Sequence, residues 1–313
     1  MFALRGIAVS LAFFVLLYCL LSALVAAGWR LLKLLHVTQH SLAGLLFAVR
    51  FLPLVVSVVS TFALVVPSFQ LLEPRSTDEG MGATPLALGV CALLLIACGC
   101  FRVVTAHTTT ARVVARWLEG AHPLDGDGSA QTVMACSRRE APPLTLVGVR
   151  RPRVLVSEST VALLSPEELR IALKHESAHM QCRDNLKKLV FRCCPFPGMA
   201  KLESAWSQTA ELAADDAAVS TLDDAVDLAA ALVKLSRLVP VETAPVCTVG
   251  FVTGTISARV ARLLAWDEAV KSQPMRIQLW HVVPPALAAL LCVCIFYGPA
   301  LALTHEVTEW LVR

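Results

Sequence analysis

Four long apolar stretches punctuate the chain, and a more polar region separates the third stretch from the fourth. The stretches cover about 6–28, 51–72, 84–104 and 280–303. Each is long enough to cross a bilayer as a helix, which takes about 20 apolar residues. The pattern therefore predicts an α-helical membrane protein with four transmembrane helices and a domain inserted between spans three and four.

These stretches divide the chain into 1–104 with three spans, the inserted domain 105–279, and 280–313 with the fourth span and a short tail. The first stretch could instead be a signal peptide, because small residues at 23–27 resemble a cleavage site. It is longer than the usual run of about 7–15 apolar residues, and only Arg5 precedes it. We therefore expect an uncleaved helix.

The composition supports the lipid bilayer as a partner. Only 16% of the residues are charged and the mean hydropathy is +0.66, whereas a soluble protein is about 25% charged. The net charge of +3 comes without a long basic run, so we expect no direct nucleic-acid binding. The 11 cysteines lie in apolar runs or lack CxxC spacing, which predicts reduced thiols in a cytoplasmic domain.

The basic residues set the expected orientation, because loops rich in lysine and arginine stay in the cytoplasm. Arg30 and Lys33 follow span one, whereas the connector 73–83 carries three acids and one arginine. Arg112 and Arg116 follow span three. We expect a multi-pass protein of the plasma membrane or inner membrane, with its N-terminus and C-terminal tail outside and the inserted domain in the cytoplasm.

Within the inserted domain, the residue pattern predicts a mixture of strands and helices. Short strands are expected at 131–135, 144–149 and 153–157, and helices at about 199–219, 224–238 and 257–269. Ser165-Pro166-Glu167-Glu168 is typical of a helix start, with an N-cap serine, a proline at the first position and a glutamate that completes a capping box.

The helix that starts at Ser165 leads directly into the sequence His175-Glu176-Ser177-Ala178-His179. Two histidines four residues apart lie on one face of a helix. A zinc hydrolase needs two neutral imidazoles that bind the ion and a carboxylate beside the activated water. Two surface histidines on an amphipathic helix are the alternative interpretation. The spacing makes His175 and His179 candidate zinc ligands and Glu176 the candidate general base.

A catalytic zinc ion takes a third protein ligand from another element. The candidates are Asp184, Glu203, Glu211, Asp215, Asp216, His107 and His122. Glu211 and Asp215 fall one turn apart among alanines, which lets two helices approach closely. We predict Glu211 as the third ligand and Asp215 as an acceptor that orients one histidine. A solvated acidic helix face is the alternative.

The residue that would stabilise an oxyanion is left open by the sequence. Both tyrosines, Tyr18 and Tyr297, lie in predicted spans. Arg183, His122 and backbone amides are the candidates that the inserted domain offers.

Several blocks of the chain resemble the integral-membrane zinc peptidases of the BlaR/MecR antirepressor family. The blocks are 148–157, 164–169, 174–179, 183–186 and 211–219, and the predicted order of spans and inserted domain is also similar. The resemblance implies a cytoplasmic α+β domain of the gluzincin type, with Zn²⁺ on His175, His179 and Glu211 and with Glu176 as the base. It also implies that Leu144, Thr145, Leu146 and Val147 form an edge strand that receives substrate backbone by strand addition.

Two features depart from that family. Its antibiotic-sensing members carry an extracellular penicillin-binding domain after the fourth span, whereas this sequence ends at Arg313. We therefore expect a member that lacks the extracellular sensor domain. The segment 195–198 matches the aromatic-Asn-Pro stretch of the family only in part.

These features predict a membrane-embedded zinc endopeptidase that cleaves a cytoplasmic protein, and the resemblance implies a winged-helix transcriptional repressor as the substrate. One alternative is an HtpX-like protease for membrane-protein quality control, which shares the HExxH motif and the Glu-xxx-Asp helix. Another is a non-catalytic zinc-binding scaffold in signalling. Glu176 favours an enzyme, because a closed structural zinc site has no use for that carboxylate.

Overall fold

The computed structural model describes residues 2–74, 82–123, 133–136, 141–193, 195–238, 249–250, 256–266 and 297–310. Within these residues, three helical segments are long and apolar enough to cross a membrane. Helix α1 (Phe2–Gly28) continues through a 3₁₀ segment to Leu34. Helices α2 (Gln39–Ser60) and α3 (Val66–Leu72) are joined by the π-helical turn Thr61–Val65. The third segment is α4 (Ala83–Leu118).

The first and third predicted spans are confirmed as helices, but the second helix starts earlier than predicted. It begins at Gln39, where the Thr38 side chain accepts a hydrogen bond from the backbone N–H of Ser41. The prediction placed the start at 51 because residues 39–50 mix apolar and polar side chains. A hydropathy pattern detects only the part of a helix that lipid surrounds. The first three turns of α2 pack against the inserted domain instead, so the pattern did not detect them.

Helix α4 joins the membrane region to the inserted domain without a break. Its 36 residues correspond to about 54 Å, whereas the hydrocarbon core of a bilayer is about 30 Å thick. Near its C-terminal end Trp117 is buried, and its carbonyl oxygen accepts a contact from the thiol of Cys136 in the sheet. Span three therefore continues as one helix into the inserted domain.

A terminal helix, α11 (297–310), packs beside the second half of span two. Pro67 has no N–H, so the carbonyl of Ala63 lacks the helical donor four residues on. The Tyr297 hydroxyl donates to that carbonyl oxygen at 2.8 Å. Further along α11, His305 lies beside Glu73, which follows the end of α3. Of the predicted fourth span, 280–303, only residues 297–303 lie within the described part of the chain. The fourth span therefore stays a prediction.

The inserted domain contains a small mixed sheet of five short strands among the described residues. The strands are β1 (His122–Pro123), β2 (Val133–Cys136), β3 (Leu144–Val147), β4 (Arg153–Ser157) and β5 (Val249–Gly250). Their order is β1-β2-β4-β3-β5, with β2 and β4 parallel and the other pairs antiparallel. The three strands predicted from the sequence are all present, with ends shifted by up to two residues.

The prediction that Leu144, Thr145, Leu146 and Val147 form a free edge is wrong. Leu146 and Thr145 pair with the two residues of β5, so β3 lies between β4 and β5. All four side chains of β3 are buried. A strand of two residues carries no periodic signal, so nothing in the sequence indicated that this edge is covered.

Five helices of the domain follow the sheet and pack against it and against one another. They are α6 (Pro166–Gln181), α7 (Asp184–Phe191), α8 (Ala200–Ala218), α9 (Leu222–Ser236) and α10 (Ile256–Leu264), and a short α5 (Glu158–Leu163) precedes them. One apolar core joins β3 and β4 to α6, α9 and α10. The two later helices predicted at 224–238 and 257–269 are confirmed with somewhat different ends.

A second apolar cluster fixes the domain to the membrane helices. Trp29, in the 3₁₀ segment that ends span one, and Leu46, near the start of α2, pack with Leu202 and Trp206 of α8. Arg50 of α2 is 2% exposed, and its guanidinium contacts Glu203 of α8 at 2.9 Å. The domain therefore sits at the end of the bundle that carries the connector between spans one and two.

We expect Gly99→Ala to destabilise the protein. A Cβ at Gly99 of α4 would overlap the carbonyl oxygen of Cys193, which is backbone and cannot rotate away. Overpacking of this kind costs about 1–3 kcal/mol. The matched control is Gly44→Ala in α2, where an added Cβ meets no atom within 4 Å. Thermal unfolding in nanodiscs should give a lower melting temperature for Gly99→Ala alone, and equal melting temperatures would contradict this packing.

Candidate metal centre

Helix α6 carries the motif, and its start is fixed as the sequence predicts. The Ser165 hydroxyl accepts from the backbone N–H of Glu168, and the Glu168 carboxylate accepts from the backbone N–H of Ser165 at 2.8 Å. Lys234 of α9 adds a 2.7 Å contact to the same carboxylate. This reciprocal cap holds the register of the helix that places His175 and His179 on one inward face.

Three side chains converge in the interior of the domain. His175 and His179 of α6 and Glu211 of α8 are each 3% exposed or less. The two imidazole Nε2 atoms lie 3.1 Å apart. The Glu211 carboxylate lies 3.6 Å from Nε2 of His175 and 3.7 Å from Nε2 of His179. Among the described residues, these three form one of the two groups whose donor atoms could hold a metal ion.

The spacing of these donor atoms fits a zinc ion. Zinc binds nitrogen and oxygen ligands at about 2.0–2.2 Å in a tetrahedral arrangement, which separates neighbouring ligand atoms by about 3.4 Å. The observed separations of 3.1, 3.6 and 3.7 Å bracket that value. The donor set of two imidazoles and one carboxylate is also the set that catalytic zinc sites use. Glu211 thus lies with the two histidines in a group that could hold a metal ion, and its role as the third ligand stays a prediction.

Each histidine has a carboxylate partner at its other ring nitrogen. Asp215 of α8 lies 3.0 Å from Nδ1 of His175, as predicted from its position one turn beyond Glu211. Asp184 lies 2.7 Å from Nδ1 of His179, a role that the sequence did not indicate. A carboxylate beside Nδ1 keeps the proton on that nitrogen, which leaves Nε2 as the nitrogen that can bind a metal ion. Both Nε2 atoms are therefore directed at the candidate metal position.

A left-handed residue brings Asp184 back to the histidine. Arg183 has φ of 54° and ψ of 41°, an uncommon conformation for a residue with a side chain, and it reverses the chain between α6 and α7. The Asn185 amide then donates to the carbonyls of Leu146 and Gly148, each at 3.0 Å, which ties the reversal to β3. Together these contacts place the Asp184 carboxylate beside the ring of His179, which lies five residues earlier in the chain.

Arg259 of α10 completes the cluster and was not identified from the sequence. Its guanidinium donates one hydrogen bond of 2.9 Å to Glu211 and two, of 2.6 and 2.8 Å, to Asp215. Arg259 is 3% exposed. The residue pattern around this arginine gives no signal for such a role. Its only indication is that it lies on the apolar face of an amphipathic helix.

Electrostatics of the cluster also favour a bound dication. Glu176, Asp184, Glu211 and Asp215 are buried carboxylates, whereas the cations in direct contact with them are Arg259 and Lys187. When all four carboxylates are ionised and both imidazoles are neutral, as metal ligands must be, two negative charges are left over, which a divalent ion would balance. Burial opposes ionisation of Glu211, but His179, His175 and Arg259 hold the pKa of this carboxyl well below its usual range.

The protonation of His179 is linked to metal binding. Burial lowers the pKa of His179, but the Glu211 and Asp184 carboxylates outweigh burial and raise this pKa to about 10. A metal ion must therefore displace a proton from the ring, so metal affinity should increase as the pH rises toward that value.

Glu176 occupies the position expected of a general base. It is fully buried beside both candidate metal-binding histidines, and neither carboxylate oxygen has a hydrogen-bond partner among the described residues. Burial raises the pKa of Glu176 to about 7, against the opposing effect of His179 and His175. A carboxyl group with a pKa near the working pH can both accept and release a proton.

The other residues that the sequence offered lie elsewhere. His107 and His122 are exposed on α4 and β1, Asp216 pairs with Arg262 at the surface, and Glu203 pairs with Arg50. Arg183, one candidate for the oxyanion, is exposed as well. The described residues therefore assign no side chain to that role.

Comparisons with known proteins add no relative. No protein-family model matches the chain, and no curated protein matches it either. Three long apolar helices together with the buried His175, His179 and Glu211 cluster are consistent with a zinc peptidase of the HExxH type with a distant glutamate ligand.

Asp184→Asn should weaken zinc binding by about 10–100-fold, because the loss of a carboxylate behind a metal-binding histidine has that effect. Competition with a chelator measures the affinity of the purified full-length chain. Asp216→Asn is the matched control, since the Asp216 side chain is 39% exposed and pairs with Arg262 at the surface. Equal affinities for the two variants would show that Asp184 does not orient His179.

Arg259→Gln should lower the free energy of unfolding by about 3–5 kcal/mol, because it leaves two buried carboxylates without their cation. Arg262→Gln, one turn further on α10 and exposed, should change it by less than about 1 kcal/mol. Chemical unfolding in the presence of saturating zinc measures both values. Similar small losses for the two variants would contradict the buried placement of Arg259.

Proposed function

We propose that this chain is a membrane-embedded zinc endopeptidase. One observation carries the proposal: the Glu176 carboxylate is buried beside the His-His-Glu cluster, and within the part of the chain that the structure describes neither of its oxygens has a hydrogen-bond partner. A buried carboxylate without a partner is costly, so a structural metal site has no reason to keep one. A hydrolytic site needs such a group to handle protons.

Each residue of the cluster has a separate role in the proposed hydrolysis of a peptide bond. A zinc ion held by His175, His179 and Glu211 would supply Lewis-acid activation of a water molecule and of the scissile carbonyl. Glu176 would accept the proton of the attacking water and pass it to the leaving amine, which suits its pKa of about 7. Asp215 and Asp184 keep the two imidazoles in the orientation that this chemistry requires.

We further propose that the domain faces the cytoplasm and cleaves a protein there. The domain packs against the connector between spans one and two, which carries Arg30 and Lys33. Basic connectors of this kind are retained in the cytoplasm. The resemblance of the motif blocks to the BlaR/MecR antirepressor family supports a winged-helix transcriptional repressor as the substrate, and thus a role in signalling.

The first test compares newly formed protein N-termini in cells that carry the wild type or Glu176→Gln. The substitution keeps the metal ligands and removes the base, so cleavage should slow by about 10²–10⁴-fold. Fragments of a cytoplasmic regulator present only with the active protein would support the proposal. Fragments mainly of damaged membrane proteins would instead indicate the HtpX-like quality-control function.

The matched control is Glu167→Gln on the first turn of the same helix, where the side chain is 65% exposed. It should leave the set of fragments unchanged. Zinc content must be equal in all three proteins, so that loss of cleavage reports the base and not loss of the ion. Identical fragments in all three proteins, with zinc bound, would overturn the enzyme proposal and favour a zinc-binding scaffold.

A further inference from the structure

Arg259 of α10 contacts two carboxylates of the candidate metal centre at once. Its Nη1 atom donates to Oε2 of Glu211 at 2.9 Å, whereas Nη2 and Nε donate to the two oxygens of Asp215. Glu211 is a candidate metal ligand, and Oδ1 of Asp215 lies 3.0 Å from Nδ1 of the candidate ligand His175. One guanidinium group therefore fixes one candidate ligand directly and a second one through Asp215.

The two oxygens of the Glu211 carboxylate lie almost equally close to the two histidines. Oε2 is 3.6 Å from Nε2 of His175, and Oε1 is 3.7 Å from Nε2 of His179. A carboxylate can bind a metal ion through one oxygen or through both. The positions of the histidines alone therefore do not decide how Glu211 would bind.

The number of Glu211 oxygens that bind determines whether the ion has room for a further ligand. Two histidine nitrogens and both carboxylate oxygens would already supply the four donors of a closed zinc site. Two nitrogens and one oxygen leave a position for water or substrate, as a catalytic zinc site requires. The choice between the two arrangements is therefore the choice between a closed site and an open one.

The hydrogen bond from Arg259 makes the two oxygens of Glu211 different. Oε2 accepts this bond from a cation, and such charge-assisted bonds are about twice as strong as neutral ones. Both side chains are only 3% exposed, so water screens the guanidinium charge little, and this charge opposes the approach of a dication to Oε2. The two bonds to Asp215 hold the guanidinium in one plane, so Arg259 stays in place if the Glu211 carboxylate turns.

We propose that Arg259 is a positioning residue that makes Glu211 bind the metal ion through Oε1 alone. It thereby keeps open the metal position that a substrate needs. The inference rests on the proposed zinc-peptidase function, and it gives Arg259 a role beyond the neutralisation of buried charge. A lysine at this position would keep the charge, but its ammonium group lacks the planar fork that contacts Glu211 and Asp215 together.

The test replaces zinc with Co²⁺, whose visible absorption changes with the ligands around it. The full-length chain in nanodiscs is loaded with one Co²⁺ per chain and titrated with azide, a small anion that binds at an open metal position. Arg259→Lys should bind azide about 10-fold more weakly than the wild type, because the second oxygen of Glu211 takes that position. The lysine keeps the charge, so a weaker attraction of the anion is not the cause.

The matched control is Arg262→Lys, because Arg262 lies on the same helix and is 40% exposed. It should bind azide as the wild type does. X-ray absorption of the zinc-loaded wild type adds a measurement that needs no variant, because the carboxylate carbon lies closer to the ion when both oxygens bind. We expect the longer distance, which corresponds to one bound oxygen.

Two results would overturn the inference. One is equal azide affinity of Arg259→Lys and the wild type, each with one Co²⁺ per chain. The other is a wild type in which X-ray absorption finds both Glu211 oxygens bound. A wild type that binds azide as expected but cleaves no protein would overturn the peptidase proposal alone, whereas a wild type that binds no metal ion would overturn both.

Discussion

The burial of four carboxylates around two imidazoles is the constraint on which the domain depends. Glu176, Asp184, Glu211 and Asp215 come from three helices that must pack closely to place them there. Each buried charge would cost several kcal/mol if it were unpaired. Arg259 compensates Glu211 and Asp215, and Lys187 compensates Asp184. The remaining negative charge links the stability of the packed helices to the binding of a cation.

Helix α8 carries this constraint from the metal centre to the membrane. Alanines at 210, 213, 214, 217 and 218 reduce its bulk, so that α6 and α2 can both lie close to it. Glu211 and Asp215 face α6 near its C-terminal end. Two turns earlier, Glu203 pairs with Arg50 of span two. One helix therefore contacts both the candidate zinc ligands of α6 and a membrane-spanning segment.

The parts of the site that the sequence predicted are those that local geometry determines. The His-Glu-xx-His spacing and the capping box operate within one helix, so His175, Glu176 and His179 could be placed without knowledge of the fold. Glu211 required one further step, because two carboxylates one turn apart among alanines are unusual on a solvent-exposed face. The contacts of Glu211 and Asp215 with α6 are nonetheless tertiary contacts, which only the structure shows.

The parts that the sequence missed depend on contacts between distant elements. Asp184 reaches His179 only because Arg183 adopts a left-handed conformation, which arginine rarely does. Arg259 lies 44 residues beyond Asp215 and meets it through packing of α10. The prediction of a free edge at β3 was wrong for the same reason, since the residues of β5 lie 103 and 105 positions beyond their partners in β3.

Span two runs from the inserted domain to the other end of the bundle as one nearly continuous helix. Arg50 meets the domain, and Glu73 lies 23 residues later, about 35 Å away along a helix. The π-helical turn and Pro67 interrupt its hydrogen bonds between these points, and the Tyr297 hydroxyl satisfies the carbonyl of Ala63 there. A shift of this helix relative to α8 would have to break the partly buried pair of Arg50 and Glu203. Because Glu203 lies on the helix that also bears Glu211, movement of span two would be coupled to the geometry of the candidate metal centre.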